Sequence, residues 1–321
     1  MKPRILVTRE VFDEVLDFLC ESLDVDANQS DVPLTPESLC ERLAEKDGVV
    51  CALTDRIDAA VLAAAPNLRA VCNIAVGYNN IDVTACSARG IVVTNTPGVL
   101  DETTADLVWA LMLAAARRLT EAETYLRNGE WQGWYLKQLL GTDVHHATLG
   151  ILGMGRIGQV IARRALGFEM NVLYCNRSRL SQDIESRLGA RYVAMDELLA
   201  QSDFLVLQVP YSPATHHLIG TAELARMKRT AILVNAARGG VVDDAAVIEA
   251  LNNRTIAAAG LDVFENEPKF DPRFLALKNV VLAPHIGSST RVTRLAMAMT
   301  AARNMVAALT GGMPPNIVNP R

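Results

Sequence analysis

Apolar residues along this chain fall into short unbroken runs, separated by stretches in which they recur every three or four positions. These are the signatures of buried strands and amphipathic helices. In the first hundred residues the runs at 5–8, 49–53, 70–75 and 91–94 predict strands. Helices are predicted between them at 11–19, at 59–64 (ending before Pro66) and around 82–88 (ending at Gly90). Thr96-Pro97-Gly98 breaks the pattern, and a long helix is predicted over 103–119 with Leu107, Leu111 and Ala114 on one face. A second alternating series predicts strands at 149–152, 172–175, 204–209, 231–235, 257–262 and 280–283. Helices are predicted between them, among them 159–166 and 243–251, where Asp243 and Asp244 suit the positive end of the helix. Strands alternating with helices imply parallel sheets with crossover helices, an α/β class. The last amphipathic stretch, 291–309, is expected to return to the first domain and make it discontinuous.

Composition narrows the function classes. A length of 321 residues suits two domains. A formal charge of −5 offers no electrostatic footprint for nucleic acid or an acidic membrane. The charged N-terminal decapeptide is no signal peptide. The most apolar stretch, 107–116, is about half of a membrane span and is closed by Arg117-Arg118. Six scattered cysteines without a CxxC read as thiols of a reducing cytoplasm. His145-His146 invites a metal reading, but adjacent side chains in an extended segment point to opposite faces, so no metal site is expected there.

The run at 149–152 enters Gly153-Met154-Gly155-Arg156-Ile157-Gly158 and then a helix. In such a turn the first glycine permits the bend, the second lets a pyrophosphate approach, and the third lets helix and strand pack closely. Six strands opened by this turn match the doubly wound dinucleotide fold, so 101–287 is expected to bind a dinucleotide, with 1–100 and 288–321 forming a separate discontinuous domain. An NAD enzyme places an acid at the end of the second strand of such a domain. Here Asn176-Arg177-Ser178-Arg179 begins eighteen residues after Gly158 (176 − 158), with no acid and two guanidinium forks suited to a 2′-phosphate. NADP(H) is therefore expected over NAD(H), which stays possible; a solvated basic loop is the plainer alternative.

Reducing a 2-oxo acid needs a cation for the carboxylate, a proton donor for the developing alkoxide and a group that keeps the donor charged. Arg238 follows a predicted strand and is flanked by Gly239-Gly240; His285 also sits past a strand end, and Glu267 lies within plausible reach of it. A carboxylate beside an imidazole favours the imidazolium. Singly, each has a bland reading as surface arginine, loop histidine or capping glutamate.

Together with the glycine turn, these blocks reach a known family. Residues 150–158, 227–243, 259–268 and 284–287, in that order, resemble the D-isomer-specific 2-hydroxyacid dehydrogenases over essentially the whole chain. The resemblance implies two Rossmann-like domains, the discontinuous one binding substrate, with the active site in the cleft between them, and a homodimer. It implies that Arg238 binds the substrate carboxylate and carbonyl, that His285 is the acid/base and that Glu267 is its partner. It places the backbone of Val76 and Gly77 on the carboxylate, Thr104, Val209, Pro210, Ala236, Asp262 and Gly287 around the nicotinamide, and Thr215 near the adenosine.

Within the family the segment 141–146 and the basic 176–179 end look most like bacterial 2-ketogluconate reductases, also called glyoxylate/hydroxypyruvate reductases. A dimerisation arm is expected at about 120–147, where the tryptophan-bearing stretch 128–135 either packs on a neighbouring subunit or, through Trp134, contacts substrate. Ala147 stands where many relatives have Lys, and Ala236-Ala237 replaces a commoner Gly; neither is expected to abolish activity. The expected activity is NADPH-preferring reduction of small 2-oxo acids (2-ketogluconate, hydroxypyruvate, glyoxylate) in the cytoplasm. The competing class is a dinucleotide-sensing, corepressor-like binding protein on the same fold.

Overall fold

The computed structural model describes residues 2–319. The first hundred residues run β1 Arg4–Val7, α1 Asp13–Ser22, β2 Asp24–Ala27, α2 Pro36–Leu43, β3 Gly48–Cys51, α3 Ala59–Ala64, β4 Ala70–Asn73, α4 Val83–Ala88 and β5 Val92–Thr94. Then come α5 Asp101–Ala116, α6 Leu119–Arg127, β6 Thr148–Leu152, α7 Arg156–Ala165, β7 Asn171–Cys175, α8 Gln182–Leu188, β8 Ala190–Tyr192, α9 Met195–Gln201 and β9 Phe204–Leu207. The chain ends with α10 Thr221–Arg226, β10 Ile232–Asn235, α11 Asp244–Asn252, β11 Ala258–Leu261, β12 Val280–Leu282 and α12 Arg291–Leu309.

Two compact units result, 1–100 with 289–321, and 101–288. The first holds a five-stranded sheet in the order β2-β1-β3-β4-β5, the second a seven-stranded sheet in the order β12-β11-β10-β9-β6-β7-β8. Every pairing is parallel. Both units are Rossmann-like α/β layers. Central strands such as β3, β4, β9 and β10 are buried along their whole length, as parallel strands covered by helices on both faces must be. In the larger unit one apolar core lies under α5 and α7, and a second fills the opposite face under α9, α10 and α11. In the smaller unit α12 covers one face together with α1.

The departures from the sequence reading have local causes. The single helix expected over 103–119 is two helices, because Arg118 takes a left-handed conformation (φ 52°) and α6 restarts with no buried residue. The larger sheet has seven strands, not six: β8 is a three-residue edge strand with too few apolar positions to register. β2 escapes notice because its Asp-Val-Asp-Ala sequence carries no apolar run; Arg42 and Lys46 hold its Asp26 at 2.5 and 3.1 Å. α2 escapes because only Leu39 and Leu43 are buried, although Thr35 caps it by accepting from the Ser38 amide.

Candidate active site

In the larger unit the carboxyl ends of β6, β9, β10 and β11 carry most of the residues of interest. After β6, Gly153 sits at φ 102°, and a Cβ there would lie 2.6 Å from the Gln208 carbonyl carbon. A Cβ on Gly158 would lie 2.5 Å from the Gly153 oxygen, so α7 packs as close to the turn as two backbones allow. Gly155, between them, meets nothing within 4 Å, and as N-cap it offers no side chain to the first amides of α7. A bare, glycine-fronted helix N-terminus of ten residues fits a dinucleotide pyrophosphate. Arg156 and Ile157 open that helix.

At the end of β7, Asn176 turns its Oδ1 back to accept from the Met154 amide at 2.6 Å, fastening the strand end to the glycine turn. Arg177 and Ser178 are exposed. Arg179 is engaged elsewhere: its Nε and Nη2 reach Glu185 at 2.9 and 2.7 Å, and Glu185 also accepts from the Tyr174 hydroxyl at 2.6 Å. The hydrogen bonds from Arg179 and Tyr174 hold the Glu185 carboxyl down at about 2. One of the two guanidiniums that the sequence offers to a 2′-phosphate is thus directed at the protein's own carboxylate.

After β9 come Val209 and Pro210, and Thr215 closes that loop. Its Oγ1 donates to the Pro210 carbonyl at 2.8 Å and accepts from the Ser212 amide at 2.8 Å. After β10, Asn235 folds the next turn: its Oδ1 accepts from the Ala237 amide and its Nδ2 donates to the Arg238 carbonyl, both at 3.1 Å. Ala236 is half-buried at this bend. Arg238 donates through Nη1 to the Ala237 carbonyl at 2.7 Å. Burial lowers the Arg238 pKa, with the charge of Glu267 opposing. Gly239 is required by close approach, since a Cβ would collide with the Phe264 carbonyl.

After β11, Asp262 is almost wholly buried and receives the Ile286 amide at 2.7 Å and the Gly287 amide at 2.9 Å, while its carbonyl accepts from the His285 amide at 2.9 Å. Burial pushes its carboxyl up, against those amides and the charge of His285. Thr104, buried in α5, lies against the same turn, for a Cβ on Gly287 would be 3.5 Å from its Cγ2. His285 takes a left-handed conformation (φ 55°) and sets Nδ1 2.7 Å from Oε2 of Glu267. Glu267 is fixed in turn by the Phe264 amide, which donates to Oε1 at 2.8 Å. Burial raises the Glu267 carboxyl, but the His285 bond and charge, the Phe264 amide and the Arg238 charge outweigh it and leave it below the usual carboxylate range.

Arg238, Glu267 and His285 thus share one neighbourhood, with Nδ1 of the imidazole engaged and Nε2 left for a ligand. Such a set can fix an anion and pass a proton to an oxygen. Trp134 is 78% exposed on the stretch after α6, away from any packed core. Val76 and Gly77 belong to the smaller unit, where Asn95 and Asn73 donate to their carbonyls at 2.8 Å each. That asparagine clamp, and the Asn235 bend, carry no motif by which sequence alone would single them out.

Comparison with known proteins decides the family. The family model for the D-isomer specific 2-hydroxyacid dehydrogenase, NAD binding domain, matches residues 109–287. The chain belongs to the D-isomer specific 2-hydroxyacid dehydrogenases. Its dinucleotide domain is that of a nicotinamide-dependent oxidoreductase. A glyoxylate reductase of Korarchaeum cryptofilum is 51% identical over 99% of this chain and 96% of its own length. A crystal structure from Thermus thermophilus superposes with a TM-score of 0.92 at 43% identity, covering 98% of this dehydrogenase and 100% of that chain. An NADPH-dependent glyoxylate/hydroxypyruvate reductase of Sinorhizobium meliloti, solved with NADP and malonate, gives a TM-score of 0.87 at 34% identity, covering 99% and 97%. Among the described residues no helix is long and apolar enough to cross a membrane.

Proposed function

We propose that this dehydrogenase is an NADPH-preferring reductase of small 2-oxo acids, glyoxylate first among them, giving D-2-hydroxy acids. The observation that carries this is the His285–Glu267 pair at 2.7 Å, held by Asp262 and the Phe264 amide within the field of Arg238. The reduced nicotinamide supplies the hydride. Arg238 holds the carboxylate and polarises the carbonyl. Nε2 of His285 protonates the oxygen as charge develops there, and Glu267 stabilises the imidazolium beforehand. Thr104, Val209, Pro210, Ala236, Asp262 and Gly287 form the nicotinamide surroundings, and the bare N-terminus of α7 takes the pyrophosphate.

Preference for NADPH rests on the missing acid at Asn176 and on the exposed Arg177 and Ser178 beside it. The NADPH-dependent Sinorhizobium relative supports it. Glyoxylate leads the substrates because relatives about half identical are glyoxylate reductases; hydroxypyruvate and 2-ketogluconate follow. Six free cysteines suit a reducing cytoplasm. The exposed Leu119, Leu126, Trp131, Trp134, Tyr135 and Leu136 make an apolar surface that a second copy of the chain covers in a homodimer.

The test is a spectrophotometric assay with NADPH and NADH against glyoxylate, hydroxypyruvate and 2-ketogluconate. The expected result is turnover of all three, glyoxylate included, with kcat/KM at least about tenfold higher with NADPH. A preference for NADH removes the cofactor assignment. Absence of turnover with every acid replaces the reductase by a dinucleotide sensor.

A further inference from the structure

A second histidine–carboxylate cluster, built on Glu265 two residues before Glu267, holds different histidines from the site above. The short 3-10 turn Pro213–Thr215 delivers His216, and His217 then adopts a left-handed conformation (φ 50°). In an extended run the two rings would point to opposite faces. Here they stack, with centroids 3.9 Å apart and planes inclined by 25°. Nε2 of His217 lies 2.5 Å from Oε1 of Glu265, and one ligand atom from each of His216, His217 and Glu265 falls within 4.8 Å of the others. This is the one such group of three among the described residues.

We propose that His216, His217 and Glu265 bind one divalent transition-metal ion of the zinc class. Two imidazoles and a carboxylate suit Zn²⁺, with water as the fourth ligand. Bonds of about 2.0–2.2 Å at tetrahedral angles set donors about 3.4 Å apart, so binding draws the three donor atoms together and turns the stacked rings until their in-plane lone pairs converge on the ion. The ion takes the place of the direct His217–Glu265 hydrogen bond. One outer group already contacts the site, the Tyr211 hydroxyl at 3.4 Å from Nδ1 of His216, and Asp243 Oδ2 lies nearby at 4.0 Å from Nδ1 of His217. Such partners fix ring orientation in metal sites. Both His217 and Glu265 keep about a third of their side chains open to solvent, which admits the ion and its water. The other histidine pair lacks this convergence. His145 and His146 meet edge-on at 88°, and their nearest carboxylates, Asp143 and Glu169, are different ones.

The cluster also grips the turn that carries Arg238. The His217 amide donates to the Gly240 carbonyl at 2.8 Å, and Gly239 packs on the backbone of Phe264 and Glu265. An ion here ties the segment after β9 to the segment after β11 across that turn, so it raises thermal stability by mass action. The test titrates the chelator-treated full-length protein with zinc chloride by calorimetry, and follows its thermal midpoint with and without the salt. One ion per chain and a higher midpoint are expected. His216→Ala and Glu265→Gln are each expected to weaken binding by about tenfold or more, while His146→Ala leaves it unchanged. His216 is exposed, so its loss leaves the fold intact. Absence of binding to the unaltered protein overturns the proposal. So does equal binding by His216→Ala and Glu265→Gln, or a loss caused by His285→Ala instead, which places the ion at the His285–Glu267 pair.

Discussion

Two histidine–carboxylate pairs branch from one segment of this dehydrogenase. Glu265 and Glu267, two positions apart, each bind an imidazole whose own residue sits in the left-handed region, His217 at φ 50° and His285 at φ 55°. Their surroundings set them apart. His285 engages its partner through Nδ1, on a turn whose next two amides are pinned by the buried Asp262. His217 engages through Nε2, has Asp243 behind Nδ1 and carries a second imidazole on its face. The contact between the two groups is nearly the same; the nitrogen left over is not. A free Nε2 beside a fixed cation serves proton transfer, whereas stacked rings around one carboxylate serve a metal ion.

The largest effect expected from this contrast comes from His285→Ala. Removing the proton donor is expected to lower kcat by about 10²–10⁴-fold while the dissociation constant of NADPH moves by only a few-fold. Glu265→Gln, altering the other pair, is expected to leave kcat within about threefold, because the Glu265 carboxylate is engaged by His217 while His285 has its own partner in Glu267. Steady-state kinetics together with a fluorescence titration of NADPH check both. If His285→Ala keeps most activity, or if Glu265→Gln loses as much, the division of labour between the pairs is wrong.

Asp262→Ala comes next. It strips the acceptors from the Ile286 and Gly287 amides, the second of them buried. An orphaned buried donor costs about 1–3 kcal/mol, so the thermal midpoint should fall. Since Asp262 acts by holding the His285 turn, kcat should drop by about tenfold with a smaller change in KM. Zinc binding at the other pair should persist. Loss of stability with kcat unchanged reduces Asp262 to a purely structural role.

What the sequence discloses about these regions follows from how far each signal reaches along the chain. The glycine turn, the apolar strands and α12, with bounds Arg291–Leu309, are local patterns and are legible at once. β2 and β8 are short edge strands, each paired only with the strand before it and open on its other side, and neither shows an apolar run of its own. Arg179 reads as a phosphate ligand until the fold brings Glu185 against it, because a guanidinium in a basic stretch looks alike whichever anion it meets. His217 and Glu265 stand 48 positions apart (265 − 217), and the left-handed turn that stacks the two rings contradicts the alternation assumed for neighbouring residues. Contacts that depend on one backbone dihedral leave no period to read.

The smallest effect separates carboxylate from imidazole titration. Arg179–Glu185 joins a carboxylate to a cation that never titrates. The Glu185 carboxyl is lowered from 4.5 to about 2, chiefly by the Arg179 bond and then by the Tyr174 hydroxyl. A depressed acid contributes stability that is fully present above its unfolded pKa and is lost as pH falls through the folded value. Glu185→Gln is therefore expected to lower the urea midpoint by a constant amount at neutral pH. The gap to the unaltered protein should begin to shrink below 4.5 and close toward 2, the window set by those two values. Urea unfolding at steps between about pH 3 and about pH 7 measures it. A gap that stays constant through the acid range shows that Glu185 stabilises by packing alone, leaving the Arg179 guanidinium available to a phosphate.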